Sequence, residues 1–261
     1  MTLLLVLIAY HPSAEDVAQL RTCLAQLSGE IGYAVVANAY RPGEPVDQLR
    51  DGAAFFLTTD QNLGYGRAFN RALQQLDQQR EPPDWVAALN TDLSWVPGTM
   101  ERLLSWLETH DDVVMAVPQI LNRSGELQHL CKRDPSVLAM LSRRFWPERW
   151  KPAGLHRLDG RYTMVDHDYQ QVFDVPYLSG CCMLMRRAAV QKVQGFDERF
   201  FLYLEDADLT RRMRALGRCV HLPVASVTHG WGRGSHRSLR LTLVNLHSMW
   251  LYFRRWGLRW W

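Results

Sequence analysis

Three carboxylates follow directly after an apolar, aromatic run. The stretch FDERFFLYLEDADLTRRMRALG spans 196–217, and its run at 200–204 leads into Glu205, Asp206 and Asp208. One reason for this order is structural, because acids in the first turn of a helix interact favourably with the helix dipole. The other is catalytic, because a carboxylate at the edge of an apolar pocket has the altered pKa that a general base requires.

Another acid follows a predicted strand. The segment AALNTDLSW places Asn90, Thr91 and Asp92 just beyond an apolar stretch at 84–90. An acid there projects into the crevice at the end of a sheet, where a divalent cation bound to phosphate oxygens needs oxygen ligands. The alternative is a turn in which Asn90 or Asp92 caps the next helix.

A first glycine-rich loop, QNLGYGRAFNRAL, spans 61–73 and opens a helix. Gly64 and Gly66 free its backbone to approach a ligand, but the spacing is neither GxGxxG nor a P-loop. The alternative is a glycine turn capped by Asn62.

A second glycine-rich loop, VTHGWGRGSHRS, spans 227–238 and supplies His229, His236 and two arginines. Histidine with arginine suits a metal ligand beside a diphosphate. An ordinary surface loop with solvated side chains is the alternative.

The elements between these motifs predict an α/β sheet with a parallel core. Apolar strands alternate with amphipathic helices, and the functional loops of such sheets lie at the carboxyl ends of the strands. Residues 122–174 have weak periodicity and are interpreted as a variable insertion. The predicted strands are 3–10, 33–40, 53–59, 84–90, 113–121, 175–187 and 219–227, and the predicted helices are 13–27 with Ser13 as N-cap, 64–79, 97–110, one from about Asp206, and 238–256.

Length and composition predict one large globular domain, because 261 residues with 47% hydrophobic and 22% charged content can bury a sizeable core. The longest apolar run, at 3–10, is far below the roughly 20 residues of a spanning helix and lacks the features of a signal peptide. The five cysteines are odd in number and form no CxxC pair. A disulfide framework or zinc site is therefore not expected, and a reducing, cytosolic setting fits best.

The carboxyl-terminal part of the chain is strongly basic. From Leu209 to Trp261 there is no Asp or Glu, whereas ten arginines fall there. This asymmetry predicts an anionic partner for that end of the molecule.

Four segments, in this order, resemble the family 2 glycosyltransferases, and more narrowly the rhamnosyltransferase-like branch that builds bacterial surface polysaccharides. They are NLGYGRAFNRAL, ALNTDLSWVPG, YLSGCCMLMRRAAVQKVQGFDERFFLYLEDADLTRRMRALG and HLPVASVTHGWG, and together they cover most of 3–232. The resemblance implies a GT-A fold, with a Rossmann-like mixed sheet flanked by helices and here a C-terminal amphipathic helix. It also implies an inverting transfer of a sugar from a nucleoside diphosphate donor to a saccharide or lipid-linked acceptor, with Mg²⁺ or Mn²⁺.

The resemblance also assigns roles to individual residues. Asp206 matches the catalytic base and Glu205 its neighbour at the acceptor, while Asp92 and His229 match the positions on the metal side. The expected donor-binding residues are Tyr10, Asn38, Asn62, Gly64, Asn70, Asn90 and Thr91.

The expected organisation is a GT-A domain at 1–235 followed by an aromatic and basic helix at 236–261. Within the domain, 1–120 would bind the nucleotide sugar and 121–235 would bind the acceptor and carry catalysis. The resemblance favours dTDP-rhamnose as donor, with UDP- and GDP-sugars as open alternatives.

One position departs from the family pattern. VVANAY has Ala37 where the family commonly has an acid that contacts the base or ribose, although Asn38 is retained. A non-catalytic nucleotide-sugar or glycan-binding protein on the same fold is therefore the main alternative. A nucleotidyltransferase is disfavoured because YHPSAEDVAQL lacks a glycine-rich basic loop, and nucleic-acid binding is disfavoured by the acids around the site.

The last residues, MWLYFRRWGLRWW, combine four Trp with Tyr, Phe and three Arg. This mixture suits the headgroup region of a membrane, where aromatic rings and arginine stems are buried while the charges stay hydrated. It predicts a cytoplasmic protein that is peripheral at the inner membrane. The alternative is a last helix that packs Leu246, Trp250 and Phe253 on the core.

Overall fold

The computed structural model describes residues 1–230 and 239–261, which form a mixed sheet flanked by helices. The strands are β1 (Leu3–Ala9), β2 (Ile31–Ala37), β3 (Phe56–Thr58), β4 (Trp85–Asn90), β5 (Leu93–Ser94), β6 (Val113–Leu121), β7 (Cys131–Lys132), β8 (Phe173–Asp174), β9 (Tyr177–Leu178), β10 (Cys182–Arg186) and β11 (Arg218–His229). The helices are α1 (Ala14–Leu24), α2 (Tyr65–Leu76), α3 (Thr99–Glu108), α4 (Val137–Phe145), α5 (Ala153–Tyr162), α6 (Arg187–Lys192), α7 (Glu205–Met213) and α8 (Leu239–Trp256), with short 3-10 helices at Pro45–Leu49 and Glu148–Trp150.

The main sheet has the strand order β3-β2-β1-β4-β10-β6-β11-β5, with β8 also paired to β11. The first four strands are parallel, β10 runs antiparallel to both of its neighbours, and β6 and β11 are parallel to each other. Because of these directions, the ends of β1, β2, β4, β6 and β11 meet the start of β10 at one edge of the sheet. The loops predicted to carry chemistry leave the sheet at these strand ends, which we call the functional edge.

Apolar side chains cover both faces of this sheet, which explains the unbroken hydrophobic character of its central strands. All seven residues of β1 are buried. One core cluster joins the sheet to α1 and α3, and a second joins the other face to α2, α6 and α7. A third, smaller cluster joins α4, α5, α7 and α8 beside the functional edge.

The segment 122–174, interpreted above as a variable insertion, contains β7, α4, α5 and β8. Its weak periodicity has a physical reason, since its elements are short: β7 and β8 have two residues each, and α4 and α5 have nine and ten. The exposed residues Leu138, Leu141 and Phe145 lie at i, i+3 and i+7, so α4 turns an apolar stripe toward solvent.

The last helix, α8, packs on α7 through a different face from the one considered above. Leu246 and Trp250 are exposed, so that alternative is wrong for both and correct only for Phe253. The buried positions are Asn245, Ser248, Met249, Tyr252 and Phe253. The expected boundary at 235/236 lies outside the described residues, and the division at that point stays a prediction.

No helix within the described part of the chain is both long enough and apolar enough to cross a bilayer. The five cysteines are all buried and free. Burial raises the pKa of every thiol, and it raises the pKa of Cys131, Cys181 and Cys219 to about 12.

Candidate active site

Asp92 and His229 form a pair at the functional edge of the sheet. His229 ends β11 opposite Leu93 of β5, which fixes it beside the preceding acid. The Asp92 Oδ2 atom lies 3.4 Å from His229 Nε2, and Asn90 Nδ2 lies 3.5 Å from the same nitrogen. The backbone N–H of Gly230 donates to the Asp92 carbonyl oxygen at 2.8 Å, so the two strand ends are held together through the main chain as well.

Gln128, which the sequence motifs did not indicate, orients this histidine. Its side-chain N–H donates to the His229 carbonyl oxygen at 3.2 Å, and its Oε1 lies 3.4 Å from His229 Nδ1. With an amide oxygen beside Nδ1 and a carboxylate beside Nε2, each ring nitrogen faces a hydrogen-bond acceptor, and a cation bound at Nε2 would take the place of the proton there.

The donor set at this pair fits a divalent cation. Burial tends to raise the pKa of Asp92, but the hydrogen bond and charge of His229 outweigh it, so the pKa is lowered and the carboxylate stays ionised. A carboxylate oxygen suits Mn²⁺ or Mg²⁺, which take further oxygen ligands from phosphates and water, and an imidazole nitrogen beside it favours Mn²⁺ of the two. No group of three His, Cys, Asp or Glu side chains in residues 1–230 and 239–261 could hold a metal by itself.

Asp206 lies on the first turn of α7 with both carboxylate oxygens occupied. Oδ2 accepts from the Gly180 N–H at 2.9 Å, and Oδ1 accepts from the Tyr177 hydroxyl at 3.0 Å and the Ala207 N–H at 2.9 Å. The residue after Gly180 accepts from the Asn90 N–H through its carbonyl oxygen at 2.9 Å. Adjacent residues of one short segment therefore connect Asp206 to the Asp92 loop.

Glu205 precedes it and is buried, with an Oε2 atom that has no hydrogen-bond partner. Burial, followed by the charge of Asp206, raises the pKa of Glu205 to about 8, against the opposing effects of a backbone hydrogen bond and of Lys132. At neutral pH this side chain is therefore largely protonated, and it can donate a hydrogen bond into the cavity of about 280 Å³ that it lines.

Lys132, also absent from the motifs, brings a cation to the same cavity. Its ammonium donates to Ser179 Oγ at 2.8 Å and to the Tyr177 hydroxyl at 3.4 Å. It also lies 4.4 Å from the centre of the Tyr177 ring. Since that tyrosine in turn donates to Asp206, the lysine supports the carboxylate through one intervening hydroxyl.

Asn38, an expected donor-binding residue, is buried, and its amide is engaged within the protein. Its Oδ1 accepts from the Leu63 N–H at 2.8 Å and the Thr59 hydroxyl at 3.0 Å. Its Nδ2 donates to Asn62 Oδ1 at 3.0 Å and to the Gly64 carbonyl oxygen at 3.3 Å. These bonds hold the glycine loop in place.

Asn70 and Gly64 fix the segment that leads into the α7 acids. Asn70 Nδ2 donates to the Phe196 carbonyl oxygen and its Oδ1 accepts from the Phe196 N–H, both at 2.9 Å. Gly64 has φ of 82°, and a Cβ atom there would lie 2.0 Å from the Phe201 carbonyl oxygen. Donor contact by Asn38, Asn62, Gly64 and Asn70 stays a prediction, and their observed contacts give them a positioning role.

Of the remaining expected donor-binding residues, Tyr10 is exposed at the end of β1, and Asn90 and Thr91 are partly exposed beside the Asp92–His229 pair. These three are accessible to a ligand, and their contact with the donor also stays a prediction. His236 lies outside the described residues.

Asp208, the third acid of the opening motif, faces away from the cavity. It is fully buried and accepts from Arg212 Nε at 2.8 Å, Arg255 Nη1 at 3.1 Å and Trp256 Nε1 at 2.9 Å. Two of these partners belong to α8, so this acid fixes the last helix against α7.

Tyr203 and Asn245 complete the wall of the cavity beside Glu205, and the motif analysis missed both. A signal for Asn245 exists, because it is a polar residue on the stripe 245, 248, 249, 252 that α8 buries. The backbone conformation singles out Tyr203, since Tyr203 and Leu204 have φ of 71° and 62°. Consecutive non-glycine residues in this region are strained, and such strain clusters at functional sites.

Comparisons with known proteins agree with this geometry. Residues 20–194 match the profile of glycosyl transferase family 2. The N-acetylglucosaminyl-diphospho-decaprenol L-rhamnosyltransferase of Mycobacterium tuberculosis is 34% identical over 229 residues, covering 78% of this chain and 71% of the relative.

Solved structures show the same architecture at low sequence identity. GalNAc-T7 with UDP, GalNAc and Mn²⁺ superposes with a TM-score of 0.63 at 12% identity, covering 88% of this chain and 44% of that one. The mannosyltransferase PcManGT from Pyrobaculum calidifontis, in complex with GDP-Man and Mn²⁺, gives 0.62 at 14% identity, covering 97% and 64%. The chain spans less than two thirds of the length of either structure, and these likenesses show the fold alone. The expected GT-A architecture with a C-terminal helix is confirmed.

Proposed function

Since the chain belongs to glycosyl transferase family 2, we propose that it transfers a sugar from a nucleoside diphosphate donor to a lipid-linked saccharide acceptor. The observation that carries the proposal is the arrangement of the Asp92–His229 pair and Asp206 at one sheet edge, connected through Gly180 and the residue after it. The rhamnosyltransferase relative favours rhamnose as the transferred sugar and an acceptor whose N-acetylglucosamine is attached to a polyprenyl diphosphate.

On the donor side, Asp92 and His229 would hold Mg²⁺ or Mn²⁺ at the donor diphosphate. The ion, when bound, supplies positive charge to the diphosphate as it departs. Gln128 keeps the imidazole in the orientation and tautomer that this requires. Asn90 and Thr91 lie alongside and are accessible to the donor.

On the acceptor side, Asp206 acts as the general base. As the acceptor hydroxyl forms its bond to C1 of the donor sugar, the bond from C1 to the phosphate oxygen breaks and the hydroxyl proton passes to Asp206. Attack from the face opposite the diphosphate inverts the anomeric centre. Hydrogen bonds from Gly180 and Tyr177 fix the position of its carboxylate before the substrate arrives.

A non-catalytic sugar- or nucleotide-binding protein is the second candidate, and Ala37 is the observation that favours it. This residue is buried at the end of β2, where a carboxylate is expected for base or ribose recognition. The protein would then bind a nucleotide sugar or a glycan without turning it over.

The test combines ligand binding with turnover. We expect one of dTDP, UDP or GDP, or its sugar, to raise the melting temperature in the presence of Mn²⁺, because a ligand that binds only the folded state stabilises it. With the matching sugar nucleotide, Asp206→Asn should lower transfer to a short-chain acceptor by about 10²–10⁴-fold while nucleotide binding persists. Near-normal turnover in this variant would contradict the base assignment, and binding without turnover in the wild type would favour the second candidate.

A peripheral membrane location is part of the proposal, and exposed apolar side chains support it. Five of them belong to α4 and the segment after it, and seven belong to α8 and the tail. They are Leu138, Leu141, Phe145, Trp146, Trp150, Leu239, Leu243, Leu246, Trp250, Leu258, Trp260 and Trp261. The two elements are joined, since the Val137 and Leu138 N–H groups donate to the carbonyl oxygens of Arg259 and Trp260.

Vesicles containing anionic phospholipids test this location. Replacing Trp250, Trp260 and Trp261 together by serine should weaken binding and leave the fold intact, because all three side chains are exposed. This change is preferable to deleting the chain after Arg254, which would also remove two partners of Asp208. Equal vesicle binding by the triple variant and the wild type would refute the location.

A further inference from the structure

The cavity of about 280 Å³ beside the α7 acids concentrates buried polar atoms that have no partner. Seven such side-chain atoms occur in the described residues, and three of them belong to residues that line this cavity, namely Tyr203 Oη, Glu205 Oε2 and Asn245 Oδ1. Leaving one buried polar group unsatisfied costs about 1–3 kcal/mol, so native proteins keep few of them. Their convergence on one small space indicates a ligand that supplies the missing hydrogen bonds.

The chemistry of these atoms restricts what the ligand offers. An amide oxygen only accepts hydrogen bonds, whereas a tyrosine hydroxyl and a protonated carboxyl both donate and accept. The ligand must therefore carry several O–H or N–H groups together with oxygens, as a sugar ring does. Tyr162 and Tyr177 supply aromatic walls, and the volume lies just below the ~300 Å³ at which pockets for larger ligands begin. One sugar unit suits this space better than an oligosaccharide.

Arg143 places positive charge at the same cavity. It also lines a second cavity, of about 700 Å³, which extends to His229. Its guanidinium lies 5.8 Å from the centre of the Tyr162 ring, and within the described residues it forms no ion pair with a carboxylate. An arginine that lines both cavities and has no acidic partner in the described part of the chain is suited to bind a phosphate group.

Resting on the transfer proposed above, we propose that the 280 Å³ cavity binds the first sugar of the acceptor, with Tyr203, Glu205 and Asn245 as its specificity-determining residues and Arg143 bound to the adjoining phosphate. The three polar residues lie beyond residue 194, where the match to the family profile ends. The last helix thus contributes directly to substrate selection, through Asn245, in addition to its exposed apolar face.

Calorimetry with two probes tests this assignment in the absence of donor. The first probe is N-acetylglucosamine diphosphate esterified to a short alkyl chain, and the second is the same alkyl diphosphate without the sugar. Asn245→Ala should weaken binding of the first probe about five- to tenfold, the worth of a lost hydrogen bond, and leave the second unchanged. Arg143→Ala should weaken binding of both probes.

Two further variants control for folding. Ser248→Ala lies one turn along the same buried stripe of α8, where its hydroxyl donates to the Leu202 carbonyl oxygen, and it should bind both probes as the wild type does. Asn245→Leu replaces the unsatisfied amide by an apolar group of similar size, so it should keep or raise the melting temperature and still lose affinity for the sugar probe.

The outcomes separate this assignment from the proposed transfer. Unchanged affinity of Asn245→Ala for the sugar probe, or no binding of that probe by the wild type, would overturn the cavity assignment even if donor binding and turnover are observed. If the wild type binds the sugar probe through Asn245 but binds no nucleotide sugar, the cavity assignment stands and the transferase proposal fails.

Discussion

The first turn of α7 buries two carboxylates of opposite character. Asp208 and Glu205 lie three residues apart on the same helix and are both buried. The first accepts hydrogen bonds from Arg212, Arg255 and Trp256, whereas the second has an oxygen with no partner. The difference teaches that the chain itself supplies the hydrogen bonds of the Asp208 carboxylate, whereas the Glu205 carboxyl at the cavity keeps an unpaired oxygen.

The same contrast separates the glycine loop at 61–73 from the cavity beside Glu205. Asn38 and Asn245 are both buried asparagines. The amide of Asn38 makes four hydrogen bonds that hold the glycine loop, whereas Asn245 Oδ1 makes none. We therefore expect substitutions among the paired groups to lower stability, and substitutions among the unpaired groups to change binding with little loss of stability.

Asp208→Asn should produce the largest loss of folding stability among these variants. A small loss would contradict the comparison between paired and unpaired groups. The substitution leaves Arg212 and Arg255 against a neutral amide, and removing one partner from a buried ion pair costs about 3–5 kcal/mol. Chemical denaturation measures the free energy of unfolding directly. Glu205→Gln is the matched control on the same turn. An equal loss of unfolding free energy in the two variants would show that pairing does not distinguish the two carboxylates.

Gly64→Ala should produce the next largest loss of folding stability. Alanine there must adopt the positive φ of 82° and also place its Cβ 2.0 Å from the Phe201 carbonyl oxygen. Gly125→Ala is the control, because its φ of 80° is similar but no atom lies within 4 Å of the added Cβ. The control should lose about 1–2 kcal/mol from backbone strain, and Gly64→Ala a further ~1–3 kcal/mol from the displaced segment. Equal unfolding free energies for the two variants would show that the close approach of Gly64 to the Phe201 carbonyl oxygen does not limit the size of the residue there.

Glu205→Gln should cause the smallest loss of stability, and it should change how stability depends on pH. The pKa of Glu205 is raised from 4.5 to about 8. Between these values the unfolded chain has released the proton that the folded protein keeps, so this residue makes stability fall as pH rises from about 4.5 to about 8. The variant should show a shallower decline in melting temperature over that range, with Asp206 and Lys132 unchanged as neighbours. Parallel curves for the two proteins would contradict the raised pKa.

Much of the sheet was predictable from the sequence because its strands are continuous apolar runs with turn residues between them. β1 and β6 lie close to their predicted bounds, and Ser13 caps α1 as expected by accepting from the Asp16 N–H. The segment 122–174 was not predictable in this way. Its strands β7 and β8 have two residues each and its helices α4 and α5 only nine and ten, so no long periodic run marks these elements.

The candidate site was predictable where one short segment carries several chemical groups, as around Asp92 and Asp206. Gln128, Lys132, Arg143 and Asn245 could not be found in this way, because each is a single polar residue brought to the site by tertiary folding. The expected donor-binding asparagines illustrate the opposite difficulty. A motif shows that Asn38 and Asn70 belong near the site, but the structure is needed to show that their amides bind the protein's own backbone.

The burial of every thiol has a practical consequence for spectroscopy. All five cysteines are enclosed with raised pKa values, so little reactive thiolate is presented to a maleimide while the protein is folded. A cysteine introduced on the exposed face of α8, as in Trp250→Cys, would then be the fastest-labelled position without removal of any native cysteine. A polarity-sensitive fluorophore at that position would report in real time whether the helix leaves water when vesicles are added.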